Sequence, residues 1–133
     1  MGTRILIAED EPYILESLSF LLTREGHAVE SVMDGAAIMQ AIRLHRPDLL
    51  ILDVMLPTTN GFDALRKIRA TDDVRHLPVL ALTAKGQKAD RQRMLDLGAD
   101  DFVTKPFSNK DLVARVARLL NGAPLEDGGQ VAG

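Results

Sequence analysis

Residues 49–53 read Leu-Leu-Ile-Leu-Asp, the most apolar short run in the chain, closed by a carboxylate. Four aliphatic residues with no polar alternation describe a strand covered on both faces, as in a parallel sheet wrapped by helices. Two runs of the same kind lie on either side in sequence: Ile5-Leu6-Ile7-Ala8, and Val79-Leu80-Ala81-Leu82 after Pro78. Ala28 to Met33 is a more polar strand, interrupted by Glu30 and Ser31, and Phe102-Val103 is a short fifth.

Segments of helical period separate these runs. Residues 11–25 place Ile14, Leu18, Leu21 and Leu22 on one face, with Pro12 in the first turn and Gly26 after the last. Asp34 can cap a helix over 35–46 with Ile38, Met39 and Ile42 inward, and Pro47 stops it. Pro57 to Gly61 is a turn, and Asn60 can cap a helix carrying Phe62, Leu65 and Ile68. Residues 87–97 look helical but are charged on most faces, with Met94 and Leu97 as the main apolar anchors and Gly98 as the stop. Ser108 with Asp111 resembles a capping box for a last helix that turns Leu112, Val116, Leu119 and Leu120 inward and ends at Asn121-Gly122.

Five strands alternating with five helices imply an α/β fold: one doubly wound parallel sheet with right-handed crossovers. The three apolar strands belong at the centre, the polar second strand and the short fifth at the edges. That favours the order 2-1-3-4-5, the flavodoxin-like arrangement. Residues 1–121 read as one domain and 122–133 as a flexible Gly-rich tail.

Composition agrees and excludes several classes. The chain has 133 residues, 46% hydrophobic and 26% charged, which suits a single globular domain. The net charge is −3 with no dense basic run, which argues against direct nucleic-acid binding. There is no cysteine, so disulfides, thiolate metal sites and a cysteine nucleophile are excluded. No apolar run approaches membrane-spanning length and none forms a signal-peptide core, so a cytoplasmic location without membrane contact is expected.

Sites in open α/β sheets form at the carboxyl ends of the strands. Glu9, Asp10 and Glu11 follow the first strand, Asp53 ends the third, Thr83 and Ala84 end the fourth, and Lys105-Pro106 ends the fifth. Taken singly, each has a plain reading: Asp10 as a helix cap, Asp53 as a turn carboxylate, Thr83 as a strand residue, Lys105 as a solvated lysine. His27, His45 and His76 lie in loops or at helix ends and receive no role. Taken together, the carboxylates Glu9, Asp10 and Asp53 repel one another unless a cation sits among them. Oxygen-only ligands favour a hard ion such as Mg²⁺. A hydroxyl and a lysine opposite suit a phosphoryl group, and a carboxylate beside a bound cation can act as a nucleophile.

The segments IAEDE, LILDVMLP, the TA after the fourth strand and the KPF after the fifth resemble receiver domains of two-component response regulators. The resemblance covers residues 4–121, and four motifs in order on the right strands are far more specific than any one alone. It implies that Asp53 is the phosphoacceptor, taking a phosphoryl group from a phosphohistidine on a sensor kinase or phosphotransfer protein. It implies Asp10, Asp53 and the Met55 backbone carbonyl as direct Mg²⁺ ligands, with Glu9 acting through a metal-bound water. It implies Lys105 as the charge partner of the phosphoryl oxygens, Thr83 with the Ala84 N–H as the hydroxyl switch, Phe102 as the aromatic switch, and a cis Lys105–Pro106 bond. Phe102 lacks the hydroxyl of the tyrosine often found there, and plain core packing is an equal reading for it.

The stretch LDLGADDFVTKPFSNKDLVARV resembles the subfamily with winged-helix DNA-binding outputs. There the fourth helix, fifth strand and fifth helix form a symmetric dimer face. Arg91, Asp100, Asp101, Asp111, Arg115 and Arg118 match it in charge type and segment, although a solvated charged surface is the common fate of such residues. Where a winged helix would follow, this sequence has a short Gly-rich tail, so a stand-alone receiver acting on a downstream output protein is expected. Competing readings are a receiver-like binding module that is never phosphorylated, an aspartate-nucleophile Mg²⁺ phosphatase, and a flavin carrier. The phosphatase needs a second aspartate where Met55 stands, and the acids after the first strand would repel a flavin phosphate.

Overall fold

Strand hydrophobicity sorts the sheet. In a computed structural model that describes residues 2–122, the elements are β1 (Arg4–Ala8), α1 (Pro12–Arg24), β2 (Ala28–Val32), α2 (Ile38–His45), β3 (Leu49–Asp53), α3 (Gly61–Arg69), β4 (Val79–Ala84), α4 (Lys88–Asp96), β5 (Asp101–Lys105) and α5 (Asn109–Leu120). All pairings are parallel and the order is β2-β1-β3-β4-β5, as expected from strand polarity. Every residue of β3 is buried, whereas no residue of the β2 edge is. The expected tail at 122–133 lies, beyond Gly122, outside the described residues.

Alternate residues of the central strands feed two separate cores. Leu6, Leu50, Leu52 and Ala81 pack against α2, α3 and the Met94 side chain of α4. Ile5, Ile7, Leu49, Ile51, Leu80 and Leu82 pack against α1 and α5. Each fully buried aliphatic side chain contributes about 1.5–3 kcal/mol, which makes this sheet a stiff base for residues at its ends.

Three local expectations change. The helix expected over 35–46 is a 3-10 turn over Gly35–Ala37 followed by α2. The turn is tight because Gly35 lies against the neighbouring loop: a Cβ there would meet the Thr59 carbonyl oxygen at 1.6 Å. β5 runs five residues rather than two, since polar Asp101, Thr104 and Lys105 also pair with β4. The capping box is half formed: Ser108 Oγ accepts the Asp111 N–H at 3.2 Å, while the Asp111 carboxylate accepts Arg115 Nε at 3.0 Å instead. The Asn60 cap forms as expected, accepting the Asp63 N–H at 2.9 Å.

Candidate phosphoacceptor and metal site

Parallel register aligns the strand ends. Ala8 lies opposite Leu52, Asp53 opposite Leu82, and Ala84 opposite Lys105, so the residues closing β1, β3, β4 and β5 share one rim. Glu9 is fully buried there, and Asp53 is nearly so. Asp10 is exposed at the mouth. Carboxylate oxygens of Glu9, Asp10 and Asp53 all lie within 4.8 Å of one another, a spacing able to hold a metal ion.

One cation serves the two buried acids. Lys105 Nζ lies 3.1 Å from Glu9 Oε1 and 3.2 Å from Asp53 Oδ2. Only the second contact has hydrogen-bond alignment, so Glu9 Oε1 is a buried oxygen without a true donor. The remaining oxygens take backbone donors: Glu11 N–H to Glu9 Oε2 at 2.9 Å and Met55 N–H to Asp53 Oδ1 at 3.2 Å. Burial pushes the Glu9 carboxyl up to about 7; the Asp53 charge adds to this, while the Glu11 N–H and Lys105 oppose it. Burial pulls Lys105 down, but the Asp53 charge and the contact with Glu9 outweigh it, and the net direction is up.

These facts fit a hard divalent cation. The donor set is all oxygen, one donor is unsatisfied, and the excess is of negative charge. Met55, 69% exposed, brings its backbone to the same place through its bond to Asp53. Gly61 lets α3 abut this end of β3: a Cβ there would meet the Asp53 carbonyl oxygen at 2.5 Å and Val54 Cα at 2.8 Å. The sequence marks Gly61 only as a turn residue, and its close approach to Asp53 is a tertiary fact.

Thr83 is buried, and its Oγ1 donates to the Val103 carbonyl at 3.5 Å, the outer limit of a hydrogen bond. Ala84 is exposed at the end of β4, and Lys105–Pro106 is cis. Phe102 is half-buried against the core that holds Ala81, with the Arg91 guanidinium 5.5 Å from its ring centroid.

Five of the six charges expected on a dimer face are paired within the chain, and the sixth, Arg91, lies on the Phe102 ring. The buried Asp101 carboxylate contacts Arg115 Nη1 at 2.7 Å and Arg118 Nη2 at 3.2 Å. Asp111 pairs with Arg115. Asp100 accepts Arg69 Nη2 at 3.1 Å and the Val79 N–H at 2.8 Å. None of the histidines is at the rim: His27 bonds Thr3, His45 lies 3.9 Å from Glu30, and His76 is exposed.

A parallel five-stranded sheet in the order β2-β1-β3-β4-β5, with an acid trio and a lysine at its carboxyl rim, is the architecture of a signalling receiver domain. Residues 5–117 match the family model described as response regulator receiver domain, and the chain belongs to that family. It is 42% identical over 127 residues to the response regulator MprA of Mycobacterium ulcerans, covering 96% of this chain and 54% of that protein. The chain thus spans about half the length of the curated relatives it matches. A receiver domain of a signal transduction histidine kinase from Syntrophus aciditrophicus superposes with a TM-score of 0.85 at 37% identity, covering 98% and 99% of the two chains. The receiver domain of the sensor histidine kinase PA1611 from Pseudomonas aeruginosa, solved with magnesium in its active-site cleft, has a TM-score of 0.78 at 34% identity, covering 92% of this chain and 100% of that one. Among the described residues, no helix is long and apolar enough to cross a membrane.

Proposed function

We propose that this chain is a phosphoacceptor switch in which Asp53 takes a phosphoryl group from a phosphohistidine of a sensor kinase or phosphotransfer protein. The observation that carries the reading is the undercompensated rim: buried Glu9 and Asp53 share Lys105, beside exposed Asp10. A carboxylate oxygen of Asp53 forms the P–O bond as the P–N bond breaks, and the imidazole leaves with that electron pair. Asp10, Asp53, Glu9 and the Met55 carbonyl are the residues that would hold Mg²⁺, which supplies charge neutralisation for the phosphoryl oxygens when bound. Lys105 already contacts Asp53 and stays to pair with the same oxygens. Phosphoryl transfer asks little of the protein beyond this positioning and charge balance.

Phosphorylation adds nearly two negative charges at Asp53. Thr83, weakly held by Val103, turns its hydroxyl to the new oxygens, the Ala84 N–H assists, and Phe102 rotates into the space released. The ring change alters the face made by α4, β5 and α5, through which an output protein or a second copy of the chain is engaged. A recess of about 460 Å³ lined by Tyr13, Ile14, Ser17, Phe107 and Lys105 adjoins the site and gives the phosphodonor protein a surface to approach. The working unit is residues 1–121, in the cytoplasm, without turnover catalysis: the position two residues after Asp53 is Met55, not a general acid.

Intact mass after incubation with Mg²⁺ and acetyl phosphate tests this. One added phosphoryl group is expected in the parent chain, and none in Asp53→Asn or with chelator present. An unchanged parent mass together with no Mg²⁺ binding overturns the reading and leaves a receiver-shaped binding module.

A further inference from the structure

We propose that Arg91 is a positioning residue for Phe102: its guanidinium sits on the ring and holds it out of the space beside Thr83. The functional consequence rests on the switch reading above.

The backbone of Phe102 is not free to move. It pairs with Ala81 across β4, and its N–H donates to Asp101 Oδ1 at 2.8 Å. Asp101 in turn is fixed by Arg115 and Arg118. Only the side-chain torsions remain. Its register neighbour on β4 is a small residue, Ala81, with Thr83 next on the same face of that strand. The half-buried ring packs against the core that holds Ala81, and the Arg91 guanidinium lies 5.5 Å from its centroid. Among the described residues its guanidinium has no carboxylate or carbonyl partner, so the ring face is its one attractive contact.

The way α4 is attached makes this contact releasable. Met94 is the only buried residue of the helix. A second guanidinium, Arg93, lies 4.1 Å from the ring centroid of buried Phe62 on α3. Two cation–π contacts thus flank Met94, one on a core ring and one on a half-buried strand ring. When Phe102 turns inward, the Arg93 contact and Met94 keep α4 docked, and Arg91 becomes an unpartnered cation beside β5.

Fluorine NMR of protein labelled with fluorophenylalanine reads the ring directly. The chain has four phenylalanines, and loss of a signal in Phe102→Leu assigns the one of interest. Arg91→Ala is expected to shift the inward-to-outward ratio of Phe102 by about two- to fivefold, the weight of an exposed cation–π contact. Arg91→Lys should retain most of the outward population, and Arg93→Ala should move the Phe62 signal while leaving that of Phe102 in place. An Arg91→Ala protein whose Phe102 signal is unchanged overturns the proposal. If the Phe102 signal stays in place in parent chain that has gained a phosphoryl group by intact mass, the switch reading fails, while the Arg91→Ala comparison still decides what holds the ring. In phosphorylation kinetics, Arg91→Ala should speed uptake about two- to fivefold in the parent background and not in Phe102→Leu. Equal acceleration in both backgrounds also overturns it.

Discussion

β5 begins on a buried aspartate and ends on a half-buried lysine, and the two ends treat buried charge in opposite ways. At its start, Asp101 has two guanidiniums and holds the Phe102 N–H. At its end, Lys105 alone serves both Glu9 and Asp53, and Glu9 Oε1 is left without an aligned donor. Desolvating a carboxylate costs several kcal/mol unless partners replace the lost water. The first cluster meets that demand for its carboxylate, although Arg118 Nε is itself buried there without a partner, and is structural. The second leaves it unmet, which is what the proposed uptake of a cation and a phosphoryl group requires. Saturation of a buried acid, rather than burial itself, separates the two roles.

Substitutions at the two ends should therefore differ in kind. The largest effect is expected from Asp53→Asn, which abolishes phosphoryl uptake by intact mass. The same variant should unfold at an equal or higher urea concentration than the parent, because it removes a like charge from beside Glu9. A marked loss of stability would show that Asp53 is structural and would collapse the contrast. Asp101→Ala, by comparison, strands two arginines around a buried hole. Chemical denaturation should report a loss of about 3–5 kcal/mol. A loss under about 1 kcal/mol would mean that the arginines find other partners and that the cluster is surface decoration.

Glu9 adds a pH dependence to the difference between the two ends of β5. In the fold it keeps its proton up to about pH 7, whereas its ordinary value is 4.5. Between those values the folded chain binds more protons than the unfolded chain, so stability falls as pH rises through the window and is flat above it. The full drop is on the order of 3 kcal/mol in the absence of divalent cations. Denaturation curves at several pH values should show this slope in the parent and lose it in Glu9→Gln. Mg²⁺ affinity should rise over the same window, since cation and proton compete for one oxygen. The smallest effect is expected from Asp111→Ala, which removes an exposed partner of Arg115 but leaves Asp101 in place. Its cost should stay under about 1 kcal/mol, and a larger one would extend the structural cluster onto the surface of α5.

Much of this molecule was legible before folding. Uninterrupted aliphatic runs at 5–8, 49–52 and 79–82 announced central parallel strands, and the residues closing them announced the rim. Asp34, Asn60 and Ser108 each accept a backbone N–H near the start of a helical segment, because such caps act over two or three residues. The full length of β5 was hidden, since Asp101 is a polar residue buried by arginines 14 and 17 positions away. The break before α2 was hidden for a similar reason: Gly35 is pressed by Thr59, which lies in another loop.

Hydrophobic period and strand-end placement are local properties of the chain, so the topology and the gathering of Glu9, Asp10, Asp53 and Lys105 at one rim could be read from the residues alone. Tertiary structure alone decided how the charges are shared. One lysine divided between Glu9 and Asp53, two arginines closed on Asp101, and Arg91 placed on a phenylalanine ring depend on distances across strands and helices. Charge counts in a sequence do not contain those distances, and Coulomb energies and desolvation depend on little else.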